Sequence, residues 1–300
     1  MQNKQNHKLV LFLAWAVILS TSLYKIISQE IFGIPVSEKN GYLLPIIIAL
    51  LGLILTYLWP ICRSLKPFFW VLMVLYTAQL FVYTIIDKLP SMKHWLNSSS
   101  FSISFLADKF LGLMVTLIVI TFLFIIKKKR QAFYLAIGDV KAPAEPVRWL
   151  GIKAGDSWKK LGWIFALFLS LGTLAFLILS GRPSFATVIK ALPYLPIVLL
   201  LSAMNAFYEE VSYKASLLSV LVDVVGKQQA YLLVGAFFGI WHYYGVLYGI
   251  TGVLLAGFLG WLLAKSMEET KGMFWAWFLH FLQDVFIFAF LAIDSVTPGG

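Results

Sequence analysis

Two adjacent carboxylates at the end of a long apolar run are the residues best placed to do chemistry. Glu209 and Glu210 lie about 15 residues into an apolar segment that begins near Tyr194. A charge in hydrocarbon costs roughly 2.5 to 3.5 kcal/mol even on the lenient insertion scale. We therefore expect these carboxylates to face a polar cavity or a charged partner, and to have a function.

The spacing of the charges around this pair predicts a division of roles. Lys214 follows Glu210 by four residues, which places both on one helical face in the favourable order of acid before base. Adjacent helical residues point about 100° apart, so Glu209 faces elsewhere. We expect Glu210 to pair with Lys214, which leaves Glu209 free to act.

Two histidines in later apolar segments could complete a site. His242 follows Phe238 by four residues, and His280 precedes Asp284 by four, so each pair shares a helical face. Taken alone, His242 could be a core histidine bonded to a backbone carbonyl, and His280 with Asp284 could be an ion pair that joins helices. Because three separate segments each carry costly polar groups, a shared functional site is favoured.

The composition is that of an integral membrane protein. Of the 300 residues, 60% are hydrophobic and only 13% are charged, whereas soluble domains have about 25% charged residues. The net charge is +10, but nine of the 24 Lys and Arg lie between residues 127 and 160. Such a cluster is typical of a cytoplasmic loop, so we expect contact with the lipid bilayer and no nucleic-acid binding.

The apolar stretches predict an all-α, polytopic helical bundle of about eight or nine transmembrane helices. A spanning helix needs about 20 predominantly apolar residues. By this criterion there are nine stretches, at residues 9–28, 42–62, 67–86, 105–127, 161–180, 194–222, 228–247, 249–267 and 272–293. The single cysteine, Cys62, excludes an intrachain disulfide.

The distribution of basic residues predicts orientation and organisation. Sixteen Lys and Arg fall on the side of the N-terminus and seven on the other, which predicts a cytoplasmic N-terminus. We divide the chain into a four-helix region of unassigned role (1–130), a basic cytoplasmic or interfacial loop (131–160) and a C-terminal core (161–300). The loop is too short to hold a core of its own. We expect Trp149, Trp158 and Trp163 to anchor it at the interface.

These motifs resemble those of the CPBP family, which comprises the membrane-embedded CAAX proteases and bacteriocin-processing enzymes and is also called the Abi family. The family's first motif, Glu-Glu-x-x-x-Arg, resembles residues 209–214, where Lys214 stands for the Arg. Phe-x-x-x-His resembles residues 238–242, and His-x-x-x-Asn/Asp resembles residues 280–284. The three motifs occur in the family's order, within roughly residues 160 to 293.

The resemblance implies an intramembrane endopeptidase of glutamic type in a prokaryotic plasma membrane, without a cofactor. Glu209 would be the general base that activates a water, assisted by His242. His280 and Asp284 would stabilise the oxyanion, with Glu210, Lys214 and Phe238 in support. The substrate would be a peptide or a membrane protein.

Two departures from the family pattern leave alternatives open. Lys214 keeps the positive charge of Arg but lacks its bidentate fork. An ionised Asp284 cannot donate a hydrogen bond as Asn would, but it could orient a protonated His280. It could also join His242, His280 and Glu209 in binding zinc, because zinc accepts histidine and carboxylate ligands.

Three classes of function remain distinct at this point. The first is the endopeptidase, including a metal-dependent variant. The second is a non-proteolytic CPBP-like protein that binds or scaffolds a peptide or partner protein, in an immunity or regulatory role. The third is a transporter or channel, which also buries carboxylates and histidines. Transporters commonly show repeated halves, and no repeat is visible in this sequence.

Overall fold

The computed structural model describes residues 2–127 and 129–297, and the regular secondary structure of this part of the chain is helical. Its only β-structure is two isolated bridges, between Pro143 and Ser157 and between Val147 and Ile152. The α-helices are α1 Gln2–Ile26, α2 Glu38–Leu58, α3 Lys66–Phe81, α4 Pro90–Leu96, α5 Phe101–Lys127, α6 Trp158–Gly181, α7 Phe185–Ala191, α8 Leu195–Glu209, α9 Ser216–Val225, α10 Lys227–Trp241, α11 Ile250–Thr270 and α12 Phe274–Ser295. Residue 1 of the predicted cytoplasmic N-terminus, Lys128 of the basic cluster between residues 127 and 160, and residues 298–300 of the C-terminal core lie outside the described residues.

The polytopic all-α bundle predicted from the sequence is confirmed. Eight helical stretches in the described residues are long and apolar enough to cross a membrane. They are Gln5–Ile31, Glu38–Leu58, Pro60–Ile86, Phe101–Lys127, Trp158–Gly181, Phe185–Val225, Ile250–Thr270 and Phe274–Ser295.

The direct count of nine spans was wrong at residues 228–247. Helix α10 there has only 15 residues and ends at Trp241. At 1.5 Å per residue it is about 22 Å long, shorter than a hydrocarbon core of about 30 Å. A single 3₁₀ turn, His242–Tyr244, follows it, so His242 lies at a helix end and not inside a span.

The longest helical stretch, Phe185–Val225, changes its winding where the two glutamates lie. Helix α8 ends at Glu209, and a π-helical segment Glu210–Ala215 connects it to α9. All six residues of the π-helical segment are buried. Single π-turns inside α-helices are uncommon and occur often at functional sites.

The N-terminal helices and the C-terminal helices share one hydrophobic core. Its fully buried members include Leu72 and Tyr76 of α3, Leu111 of α5, Leu218 of α9 and Phe237 of α10. The first helices therefore pack directly against the elements that carry the sequence motifs.

The segment before α6 folds against the ends of α11 and α12. Trp158 is fully buried beside Ile152 and Trp275, and its Nε1 donates a hydrogen bond of 2.7 Å to Glu269. Trp158 is therefore not an interfacial anchor as expected, because a buried indole finds a carboxylate partner. Trp149 and Trp163 are exposed, as an interfacial role requires.

Ionic contacts tie this segment to the helices below it. Glu145 accepts a hydrogen bond of 2.9 Å from Lys227, and its backbone carbonyl accepts one of 2.9 Å from Lys265. The neighbouring Lys227 ammonium lowers the pKa of the Glu145 carboxyl. Tyr134 donates a hydrogen bond of 2.5 Å to Glu268. The segment is thus held to α10 and α11 by polar contacts as well as by its tryptophan cluster.

Candidate active site

The structure brings the four predicted catalytic side chains to one place. Glu209 ends α8, His242 follows α10, and His280 and Asp284 lie one turn apart on α12. The Nε2 of His280 is 3.5 Å from Glu209 Oε2 and 3.6 Å from Asp284 Oδ1. Residues far apart in sequence therefore form a single cluster of imidazoles and carboxylates.

One carboxylate oxygen of Glu209 has a hydrogen-bond partner, and the other has none. Its Oε1 accepts a hydrogen bond of 3.1 Å from Asn205. Its Oε2 is buried without a hydrogen-bond partner, 3.5 Å from His280 Nε2 and 3.8 Å from His242 Nε2. These distances exceed those of direct hydrogen bonds, and a water can bridge groups at such separations.

The geometry fixes the tautomer of His242 in its neutral form. Its Nδ1 is 2.8 Å from the backbone carbonyl of Phe238. A carbonyl only accepts, so Nδ1 carries the proton, and Nε2 is left with a lone pair that faces Glu209. The contact expected of a core histidine is thus present, and it also orients the ring toward the glutamate. The side chains of His242 and Glu209 are 34% and 14% exposed, which gives solvent a path to both.

Glu210 joins Lys214 and His280 through one oxygen. Its Oε1 lies 2.6 Å from Lys214 Nζ and 2.6 Å from His280 Nδ1, and the side chains of Glu210 and Lys214 are completely buried. Lys214 Nζ also lies 3.2 Å from the centroid of the Phe238 ring, a cation–π contact. The predicted contact between Glu210 and Lys214 is therefore present.

The two glutamates do not separate as fully as the sequence suggested. Both carboxylates approach the same ring, Glu209 at Nε2 and Glu210 at Nδ1 of His280. The 100° offset applies to a regular α-helix, whereas the winding changes to π at Glu210. Glu210 consequently holds His280 as well as Lys214.

Asn205 is a site residue that the sequence motifs did not reveal. Its Nδ2 donates to Glu209 Oε1 at 3.1 Å and to Asp284 Oδ2 at 3.0 Å. One buried amide therefore links two carboxylates that would otherwise repel each other. Asn205 precedes Glu209 by four residues, and this helical spacing is the signal that could have identified it.

Hydroxyl contacts from the N-terminal helices brace the π-helical segment. Tyr213 accepts a hydrogen bond of 2.9 Å from Gln79 of α3, and its hydroxyl lies 2.5 Å from that of Tyr208. Ser212 and Thr116 of α5 lie 3.1 Å apart through their hydroxyls. The helices without a sequence motif thus contact the residues that flank Glu209 and Glu210.

No group of three or more His, Cys, Asp or Glu side chains has an arrangement suited to a metal ion within residues 2–127 and 129–297. His242 and His280 each face Glu209, yet their remaining nitrogens are turned to the Phe238 carbonyl and to Glu210.

Comparison with known families agrees with the motifs. Residues 191–286 match the family model described as type II CAAX prenyl endopeptidase Rce1-like. No curated protein and no solved structure gives a significant match. The matched segment contains all three motifs and every predicted site residue, so the resemblance drawn from them is confirmed. Residues 191–286 of this chain are thus similar to the Rce1-like family of type II CAAX prenyl endopeptidases, and this similarity supports an intramembrane peptidase.

Proposed function

We propose that this protein is an endopeptidase of glutamic type that hydrolyses a peptide bond with a water activated by Glu209 and His242. The observation that carries the proposal is the buried, unpartnered Oε2 of Glu209, which faces the Nε2 atoms of two histidines. The substrate is a peptide or a membrane protein that reaches the site from within or beside the bilayer. The excess of Lys and Arg on one side supports a cytoplasmic N-terminus.

The attacking water is assigned to the space between Glu209 and His242. Glu209 Oε2 and His242 Nε2 are 3.8 Å apart, and both accept hydrogen bonds when the glutamate is ionised and the imidazole is neutral. A water between them donates both of its protons, and its oxygen lone pairs then point away toward a substrate carbonyl. This arrangement suits general base catalysis, which contributes typically 10²- to 10⁴-fold.

His280 is suited to stabilise the oxyanion as an imidazolium. Its Nδ1 faces Glu210 at 2.6 Å, and its Nε2 faces Glu209 and Asp284 at 3.5 and 3.6 Å. Both nitrogens thus point at carboxylate oxygens, an arrangement that favours a proton on each. A fixed donor at a developing oxyanion contributes roughly 2.7 to 4 kcal/mol. Asp284 accepts from Asn205 and orients His280, so the donor is the imidazolium.

The proton balance of the reaction closes on these residues. The water oxygen attacks the carbonyl carbon of the scissile bond, and its proton passes to Glu209. The carbonyl oxygen becomes an oxyanion beside His280 Nε2. Glu209 then returns the proton to the amide nitrogen, the carbon–nitrogen bond breaks, and a carboxylic acid and an amine form. The acid gives its remaining proton to the amine, so the products leave as a carboxylate and an ammonium. Each Glu209 proton transfer follows the rule that a base in one step is the acid in the next.

The experiment is to incubate the protein, purified in lipid nanodiscs, with a library of internally quenched peptides. We expect cleavage by wild type and its loss in His242→Ala. Cleavage by His242→Ala at the wild-type rate would contradict the proposal. A chelator arm reports on the metal-dependent variant: activity abolished by chelation and restored by zinc would replace the glutamic mechanism with a metal-dependent one.

A non-proteolytic role is the second candidate, and a specific observation favours it. Asp284 accepts its hydrogen bond from Asn205, so the residue at this motif position supplies no donor to an oxyanion. A cluster of this chemistry could bind a peptide or scaffold a partner without cleaving it. Complementation of a deletion phenotype by Glu209→Gln would support binding over proteolysis, whereas failure to complement supports the endopeptidase.

A further inference from the structure

Helix α10 carries His242 away from the basic loop, residues 131–160. Its first residue, Lys227, forms an ion pair of 2.9 Å with Glu145 of that loop. The helix continues for 15 residues to Trp241, which corresponds to about 22 Å at a rise of 1.5 Å per residue. His242 directly follows, so it is separated from the basic loop by about the length of α10.

Helix α11 gives a second measure of the same distance. Near its end, Lys265 donates a hydrogen bond of 2.9 Å to the Glu145 carbonyl. Near its start, Gly252 lies against His242, because a Cβ added to Gly252 would be 2.9 Å from the His242 carbonyl oxygen. An α-helix rises about 20 Å between positions 252 and 265.

The length of α11 relates this distance to the bilayer. The helix has 21 residues and is therefore about 31 Å long, close to the hydrocarbon thickness of about 30 Å. The basic loop contacts one end of α11, and His242 contacts the first turn at the other end. His242 thus lies near the bilayer face opposite the basic loop.

The chain between His242 and α11 faces water. Residues 245–249 are not helical, and Val246 and Tyr248 are each 60% exposed. Irregular backbone does not face lipid within the hydrocarbon, because its N–H and C=O groups would have no partners there. These residues therefore contact the water at the far face. The His242 side chain, which is 34% exposed, is within reach of that water.

Charged groups at the end of α1 lie beside the same residues. Lys25, in the last turn of α1, has its Nζ 5.2 Å from the centroid of the Tyr244 ring. Partial burial and the neighbouring Glu30 carboxylate raise the pKa of the Tyr244 hydroxyl to about 12. Lys25 and Glu30 are both exposed. Because exposed charges are costly in hydrocarbon, this rim of the site is in contact with water.

Packed side chains close the opposite direction, toward the basic loop. Four helices each contribute a residue without exposed surface between the site and that loop, and all four residues belong to one hydrophobic core: Leu218 of α9, Leu233 of α10, Leu263 of α11 and Ala276 of α12. A peptide chain has no room to pass between them. The site is therefore open at one face only of this part of the bundle.

We infer that the active site opens to the bilayer face opposite the basic loop and takes extracytoplasmic peptide segments as substrates. The concentration of Lys and Arg favours a cytoplasmic basic loop, so the open face is the outer one. Substrates of this class are peptides that have been exported, or the outer segments of membrane proteins. The inference rests on the proposed function for the cleavage itself and adds the side of the membrane on which the cleaved bond lies.

Cysteine labelling in spheroplasts tests the opening without requiring cleavage. Cys62, the single cysteine of the sequence, is replaced in Cys62→Ser, and His242→Cys, Tyr248→Cys or Lys153→Cys is added. The reagent is a small charged methanethiosulfonate that does not cross the membrane. We expect His242→Cys and Tyr248→Cys to react in intact spheroplasts. Lys153→Cys, at an exposed position of the basic loop, should react only after permeabilisation.

Two outcomes of the labelling would overturn the inference. One is the reverse pattern, in which Lys153→Cys reacts in intact spheroplasts. The other is a His242→Cys thiol that reacts only after permeabilisation. Thermal unfolding shows whether each variant is folded, and Val246→Cys takes the place of Tyr248→Cys if that variant unfolds.

A cleavage arm compares right-side-out and inverted membrane vesicles that contain the wild-type protein. A quenched peptide that wild type cleaves in the library screen is added outside the sealed vesicles. We expect cleavage to be at least tenfold faster in right-side-out vesicles, and we expect detergent to remove the difference. Equal rates before detergent, or faster cleavage in inverted vesicles, would overturn the inference and leave the proposed peptidase standing. Labelling of His242→Cys from outside without cleavage of any peptide would support the outer opening and contradict the proposed function.

Discussion

Asn205 offers the sharpest perturbation of the site, because one amide serves two carboxylates. Asn205→Asp replaces that donor with a third carboxylate between Glu209 and Asp284. Neither Glu209 nor Asp284 then accepts a hydrogen bond from position 205. Asn205→Ala removes the donor without adding charge. The exchange variant, Asn205→Asp with Asp284→Asn, restores one amide and one carboxylate at the same pair of positions, with their places reversed.

The magnitude follows from the two hydrogen bonds of 3.0 and 3.1 Å. A hydrogen bond to a charged group contributes roughly 1.5 to 3 kcal/mol. Loss of the bond that orients Glu209 should therefore lower kcat about 10- to 150-fold in Asn205→Ala, at about 1.4 kcal/mol per tenfold. Asn205→Asp should lose more through repulsion. The exchange variant regains one of the two bonds, so we expect a coupling energy of about 1.5 to 3 kcal/mol between the substitutions.

The assay is single-turnover cleavage of a library-derived peptide, with thermal unfolding measured in parallel. Ser202→Ala is the matched control, because Ser202 is equally buried on α8 and its hydroxyl donates only to the Val198 carbonyl of the same helix. It should retain wild-type kcat. The reasoning is refuted if Asn205→Ala keeps kcat within twofold of wild type. It is also refuted if the kcat of the exchange variant is no higher than the value obtained by multiplying the effects of its two single substitutions.

Two further predictions concern stability away from the site. An added Cβ at Gly162 would lie 2.2 Å from the Trp275 ring, whereas one at Gly172 on the same helix would have nothing within 4 Å. Gly162→Ala should therefore lower the melting temperature, because overpacking costs about 1 to 3 kcal/mol. Gly172→Ala should not lower it. Equal melting temperatures would contradict this packing. Because Lys227 lowers the pKa of Glu145 in the fold, their pair stabilises above the ordinary carboxyl pKa of 4.5 and loses its effect as pH falls through the lowered value. Both side chains are more than 40% exposed, so Lys227→Ala should lower the stability by less than about 1 kcal/mol near neutral pH and not at all at strongly acid pH. A loss of stability that is independent of pH in thermal unfolding would argue against the pair.

The sequence predicted the membrane class and the chemical residues because both leave strong local signals. Apolar stretches of spanning length are visible in any window, and carboxylates within them are conspicuous because their burial is costly. Spacing of four residues correctly paired Glu210 with Lys214. It also placed His280 and Asp284 on one face.

The features that the sequence did not show depend on contacts between distant segments. The end of α10 at Trp241 was missed because aromatic residues continue the apolar pattern past the helix. The π-helical segment leaves no periodic signal over six residues, although it turns Glu210 toward His280. Trp158 resembled an interfacial anchor because its partner, Glu269, lies 111 residues away in sequence.

The central claim is that the Glu209 carboxylate takes a proton from the attacking water, and its most direct test is the single-turnover rate of Glu209→Gln. Glutamine keeps the size and the hydrogen bond at Oε1 but cannot accept the proton. We predict a loss of roughly 10²- to 10⁴-fold in the rate, with peptide affinity unchanged and with partial activity in Glu209→Asp. Cleavage by Glu209→Gln within about threefold of wild type would contradict the account.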